Sequence, residues 1–117
     1  MDKVAAEALE DDIAAWCRNL ERLKKGDYLN IGFATTSCAM CAEFRSTNCE
    51  GCPVYKKTGK NHCFNTPLHD TYQAFAALHL ASLLGNDVTE AEIDLALKTF
   101  ENQIDFLESL RDTVSDE

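Results

Sequence analysis

The stretch TEAEIDLALKTFENQIDFLESL, residues 89–110, decides the fold. Thr89 and Glu92 stand three apart ahead of an apolar run, the spacing of a capping box. Val88 and Ile93 are placed to close a hydrophobic staple across it. Ile93, Leu97, Phe100, Ile104 and Leu107 then step four, three, four, three, which holds one apolar stripe on one side of a helix. The pattern predicts a helix over residues 89–112 and a fraying tail at 113–117.

Working outward, the same rhythm returns near the start of the chain. Leu9, Ile13, Trp16, Leu20 and Leu23 make a matching stripe, while Glu7, Glu10, Asp11, Arg18 and Lys24 fall mostly elsewhere. A helix over residues 1–26 follows, ended by Lys24 and Lys25 against the C-terminal dipole and by Gly26 as a left-handed cap. Two matching seams predict that these helices pack on each other. A further helix is expected over 66–85, with Thr66 as N-cap and Pro67 at its first position. Its core face is expected to carry Tyr72, Phe75, Ala76, His79, Leu80 and Leu83. The expected fold class is mainly α: a small bundle of three main helices. Tyr28 to Phe33 alternates in bulk around Gly32 and is expected to be extended, with a helical turn as the alternative.

Between the first two helices lies an irregular segment, 37–65, that carries five of the six cysteines. Cys38 and Cys41 form one C-x2-C pair and Cys49 and Cys52 a second, with Cys63 beyond them. Two thiolates three apart grip one metal ion from a tight turn, so this spacing suits structural zinc. A loop this long with few apolar residues (Met40, Phe44, Val54, Tyr55, Phe64) needs an organiser, and metal supplies one. Four of the five clustered cysteines fill a tetrahedral zinc site, and the sequence does not choose which four. An iron–sulfur cluster is the alternative cofactor, since Cys52-Pro53 after a C-x2-C spacing is a step found in some ferredoxins. Cys17, beside the stripe of the first helix, is expected to be a small buried hydrophobe. His62, adjacent to Cys63, is a weaker ligand candidate. His69 lies near enough to hydrogen-bond a thiolate, and His79 is expected to be a satisfied core histidine.

At 117 residues the chain has the length of one domain, and its 45% hydrophobic and 26% charged residues suit a folded one. No apolar stretch approaches the ~20 residues that span a bilayer. Met1-Asp2-Lys3 leads into an acidic amphipathic segment rather than a signal peptide, so a reducing cytoplasm is expected, with thiols reduced or metal-bound. The net charge of −9 disfavours general affinity for nucleic acid. The cysteine segment differs from the rest, with Arg45, Lys56, Lys57 and Lys60 against only Glu43 and Glu50. No H-E-x-x-H, deaminase, Walker A or dinucleotide fingerprint is present, and an all-cysteine shell is typical of closed, structural sites. The chain therefore reads as non-enzymatic.

Ser37-Cys38-Ala39-Met40-Cys41, Asn48-Cys49-Glu50-Gly51-Cys52-Pro53-Val54-Tyr55, Thr58-Gly59-Lys60, Cys63 and Thr66-Pro67 together carry a resemblance. The run is similar to a group of small bacteriophage and prophage proteins whose shared core reads C-x2-C…N-C-x-G-C-P…G…C…T-P. The resemblance covers about 30 residues, with generic helices on either side. It implies a phage-encoded protein of the bacterial cytoplasm and supplies no activity. The functional expectation is a metal-stapled protein that binds a host or phage protein, with inhibition of a host factor as one outcome. The alternatives are a nucleic-acid-binding zinc module, using the basic loop with Tyr55 and Phe64 as stacking groups, and an iron–sulfur redox or sensing protein. Either matched seam also leaves a homodimer open.

Overall fold

A computed structural model describes residues 3–31, 39–44, 50–59 and 68–114, with the side chains of 29, 41, 68, 69, 113 and 114 outside the description. The described residues are mainly helical, and no strand occurs among them. The helices are α1 (Lys3–Lys24), α2 (Ala39–Phe44), α3 (Pro53–Thr58), α4 (Leu68–Leu83), α5 (Glu90–Ser109) and α6 (Arg111–Val114). The proposed N-cap Thr66 and Pro67, Phe33 of the segment expected to be extended, and residues 115–117 of the tail all lie outside the described residues.

The terminal signals of the long helices work as their chemistry requires. Glu92 N–H donates to Thr89 Oγ1 at 3.1 Å, and Thr89 N–H donates back to Glu92 Oε1 at 3.0 Å, closing the capping box. At the end of α1, Asp27 N–H reaches Arg22 O at 2.8 Å and Gly26 N–H reaches Leu23 O at 3.1 Å. This Schellman pair needs a left-handed residue, and Gly26 supplies it at φ 79°. Tyr28–Asn30 is a 3-10 turn rather than the extended segment expected. Asn30 Nδ2 donates to Asp27 Oδ1 at 2.7 Å, a local polar closure that favours a turn over a strand.

Helices α1 and α5 pack along each other as expected, and α4 also packs on α5. Trp16 meets Phe100 edge to face, 5.2 Å between centroids at 88°, and joins two hydrophobic clusters. One cluster gathers Leu23, Ile31, Phe75, Leu78, Ala96 and Phe100 where α4 and the 3-10 turn pack. The other gathers Ala5, Leu9, Ile13, Leu107 and Leu110 with Met40, Cys52 and Val54 of the cysteine segment. The α1–α5 pair is thus a spine with α4 toward one end and the cysteine segment at the other.

Two expectations about buried faces are corrected. On α4 the buried residues are Thr71, Ala74, Phe75 and Leu78, while Tyr72, Ala76, Leu80 and Leu83 are exposed. This helix is apolar on both sides, so periodicity could not choose between them. The inner side is set by close approach: Ala74 and Ala96 are small, and Thr71 Oγ1 donates to Thr99 O at 3.1 Å. On α1, Cys17 is exposed, not buried. Ala8, Asp12 and Asn19 all turn inward, which rotates the buried face away from Cys17 and leaves Trp16 and Leu20 only partly covered.

Candidate metal centre

The segment expected to be irregular holds two short helices, each starting at a C-x2-C pair. Helix α2 begins one residue after Cys38 and contains Cys41 in its first turn. Its start is fixed from a distance. Asp12, 4% exposed on α1, accepts from Ala39 N–H at 2.6 Å through Oδ1 and from Met40 N–H at 3.0 Å through Oδ2. A carboxylate that takes two of the unpaired donors of a first turn acts as its cap, supplied here from another helix.

Helix α3 starts by ordinary local rules. Cys52 is its N-cap residue, extended at φ −66° and ψ 134°, and Pro53 occupies the first turn. The Cys52 carbonyl accepts from Lys56 N–H at 3.0 Å. Thr58 Oγ1 bonds back to Val54 O at 2.9 Å, and Pro53 and Val54 are buried.

Described residues beside the two pairs pack together. Met40, between Cys38 and Cys41, shares one hydrophobic cluster with Cys52 and Val54. Phe44, three residues past Cys41, lies over Gly51, inside the second pair. A β-carbon at Gly51 would stand 3.2 Å from Phe44 Cε1 and 3.4 Å from Cδ1, and the backbone there is left-handed at φ 89°. Glycine therefore serves twice at this position, for the turn and for the ring against it.

Of the five candidate ligands, Cys52 is described and buried, at 6% exposed. Cys41 is placed by its backbone alone, and Cys38, Cys49 and Cys63 lie outside the described residues, as does His62. Among the described residues no group of three or more His, Cys, Asp or Glu side chains converges on one point. The donor set suits a thiophilic ion, and Phe44, three residues past Cys41, packs close to Gly51, next to Cys52. Cysteine thiolates in C-x2-C spacing are the donors that a structural zinc takes.

The remaining candidates separate cleanly. His69 is described by its backbone only. His79 is half-buried with its ring edge on Phe75 at 5.1 Å. Its Nδ1 is buried without a hydrogen-bond partner among the described residues, so the expectation of a satisfied core histidine is corrected. Among the described residues the ring packs on Phe75. Tyr55, Lys56 and Lys57 are exposed on α3, whereas Arg45, Lys60 and Phe64 lie outside the description.

No family model, curated protein or solved structure matches this chain. Its function is argued from its own residues. Sequence reading missed Asp12, which looks like one more surface carboxylate on an acidic helix. The only signal was its place beside Ile13 on the stripe. No helix among the described residues is long and apolar enough to cross a membrane.

Proposed function

We propose that this chain is a non-enzymatic, zinc-stapled helical protein of phage type that acts by binding another protein, in a bacterial cytoplasm. The observation that supports the metal reading is that Phe44, three residues past Cys41, lies close to Gly51, next to Cys52, while Met40 and Cys52 share one apolar cluster. Four thiolates from Cys38, Cys41, Cys49, Cys52 and Cys63 would hold the ion, in a closed shell that leaves no position for substrate. Protein binding is favoured over catalysis because the chain carries no catalytic motif and a strongly acidic surface suited to a basic partner.

Elemental analysis of the purified chain with its native mass tests the metal: one zinc per chain is expected. Iron with absorbance near 400 nm would replace this reading with the iron–sulfur one. Capture from host lysate tests the partner, and recovery of no specific protein counts against it. A second reading has one observation behind it, the exposure of Tyr55, Lys56 and Lys57 together on α3. It requires salt-dependent binding of single-stranded nucleic acid that is lost on changing both lysines.

A further inference from the structure

The outer face of α4 differs from the surfaces of the other long helices among the described residues. The exposed positions of α1 include Lys3, Glu7, Glu10, Asp11, Arg18 and Glu21, and those of α5 include Glu90, Asp94, Lys98, Glu101, Asp105 and Glu108. Among the described side chains of α4 the exposed ones are Tyr72, Gln73, Ala76, Ala77, Leu80 and Leu83, with Asp70 the one charge and Leu84 just past the end. Leu80 is 58% exposed, Leu83 62% and Leu84 65%. Leu95 of α5, 56% exposed, lies across a groove that Ala77 lines together with Asp70, Glu92 and Lys98. A helix apolar on both sides is one made to be covered on both sides.

We infer that this face is the contact of a homodimer, in which α4 packs antiparallel on α4 of a second copy. Charge selects the occupant. The chain carries −9 overall, yet the outer strip of α4 carries only Asp70 among its described side chains, with Glu92 and Lys98 confined to the groove at its edge, and a second copy brings the same nearly uncharged strip.

The sequence is also self-complementary in one direction. Pairing centred at the level of residue 78 sets Ala76 opposite Leu80 of the second copy and Tyr72 opposite Leu84. Small faces large at the first of these pairs, two large apolar side chains meet at the second, and the two-fold repeats both. The same pairing holds the two Asp70 carboxylates about sixteen residues apart along the axis, roughly 24 Å. That exceeds the ~8–10 Å screening length. A parallel pair would put them together. The large side chains alone expose on the order of 500 Å², at the upper end of what monomers leave open. With the alanines and Gln73 between them the strip approaches the ~800 Å² that one partner gives a standard interface. The metal reading is not needed for any of this.

Sedimentation velocity of the full chain over roughly 1 to 100 µM tests it. The expected result is a concentration-dependent approach to twice the 13.0 kDa of one chain. Leu80→Glu should weaken the dimer on the order of a thousandfold, because the two-fold applies the loss twice. Its helical circular dichroism should be kept, since Leu80 is exposed in one chain. Adding Ala76→Lys to Leu80→Glu should bring the dimer back, each lysine facing a glutamate of the other copy. Ala14→Glu, on the exposed side of α1, should leave the mass distribution unchanged. A single species of one-chain mass throughout would overturn the inference. So would a dimer indifferent to Leu80→Glu, or one that the added lysine fails to restore.

Discussion

Asp12 shows how one side chain can tie two regions together. Its carboxylate is buried and takes the first two amide protons of α2, so the start of the cysteine segment is anchored to the middle of α1. Asp12→Ala leaves both donors unpaired, at about 1–3 kcal/mol for each one that stays buried. Asp12→Asn keeps one acceptor and should lose less. Urea unfolding of the three proteins checks the order, and equal stabilities would show that the cap carries no weight. Cys17 gives a second residue-scale prediction. Exposed on α1, it should react with a bulky thiol reagent within the dead time of slow labelling at Cys52, which is 6% exposed. Cys17→Ala should remove that fast phase and leave the zinc content unchanged. Neither residue's setting was legible beforehand, because both depend on how α1 is rotated about its axis rather than on its own sequence.

At the scale of elements, α5 was the most legible, since its cap, staple and stripe are all local and agree. Glu92 accepts from the Thr89 backbone N–H and the Thr89 hydroxyl, which lowers its pKa below the ordinary 4.5. A carboxylate lowered on folding contributes fully above its unfolded value, and that contribution is lost as pH falls through the lowered folded one. Thr89→Ala should cost about 0.5–2 kcal/mol at neutral pH. It should also make the acid side of the stability profile shallower, as thermal melts below pH 5 would show. Glu10 behaves in the same sense, its pKa lowered first by the side-chain hydrogen bond from Arg111, which is paired through 2.8 Å and 2.9 Å contacts on the exposed surface. Helix α4 was the least legible element. Apolar residues on both of its sides satisfy the same periodicity, and only the close approach of Thr71 and Ala74 to α5 picks the inner one. At the junction of the clusters, Phe100→Ala should cost about 3–5 kcal/mol, because the ring is fully buried against Trp16.

For the whole molecule, the α1–α5 spine separates the cysteine segment from the exposed face of α4. The cysteine segment packs at one end and the exposed α4 face lies toward the other. Zinc removal should therefore be felt unequally. A chelator should raise amide exchange across residues 39–59 and spare most of the helical circular dichroism signal, since α1, α4 and α5 have their own buried faces. Ordering the segment costs about 1–2 kcal/mol per residue of backbone entropy, and few apolar side chains there offset it. Collapse of the helices together with the segment would place the metal in the core of the fold, and unchanged exchange would show that it organises nothing. By itself the sequence determined that the chain is mainly helical, where the capping box lies, and that α1 and α5 share a seam. Caps and stripes are local patterns set by hydrogen-bond reach and the 3.6-residue turn. The tertiary structure alone decided that Asp12 caps a helix 27 residues away, that Phe44 rests on Gly51, that Cys17 points outward, and which side of α4 is left to solvent. Each of these follows from the rotation of one helix against another, which close packing fixes and no local spacing encodes.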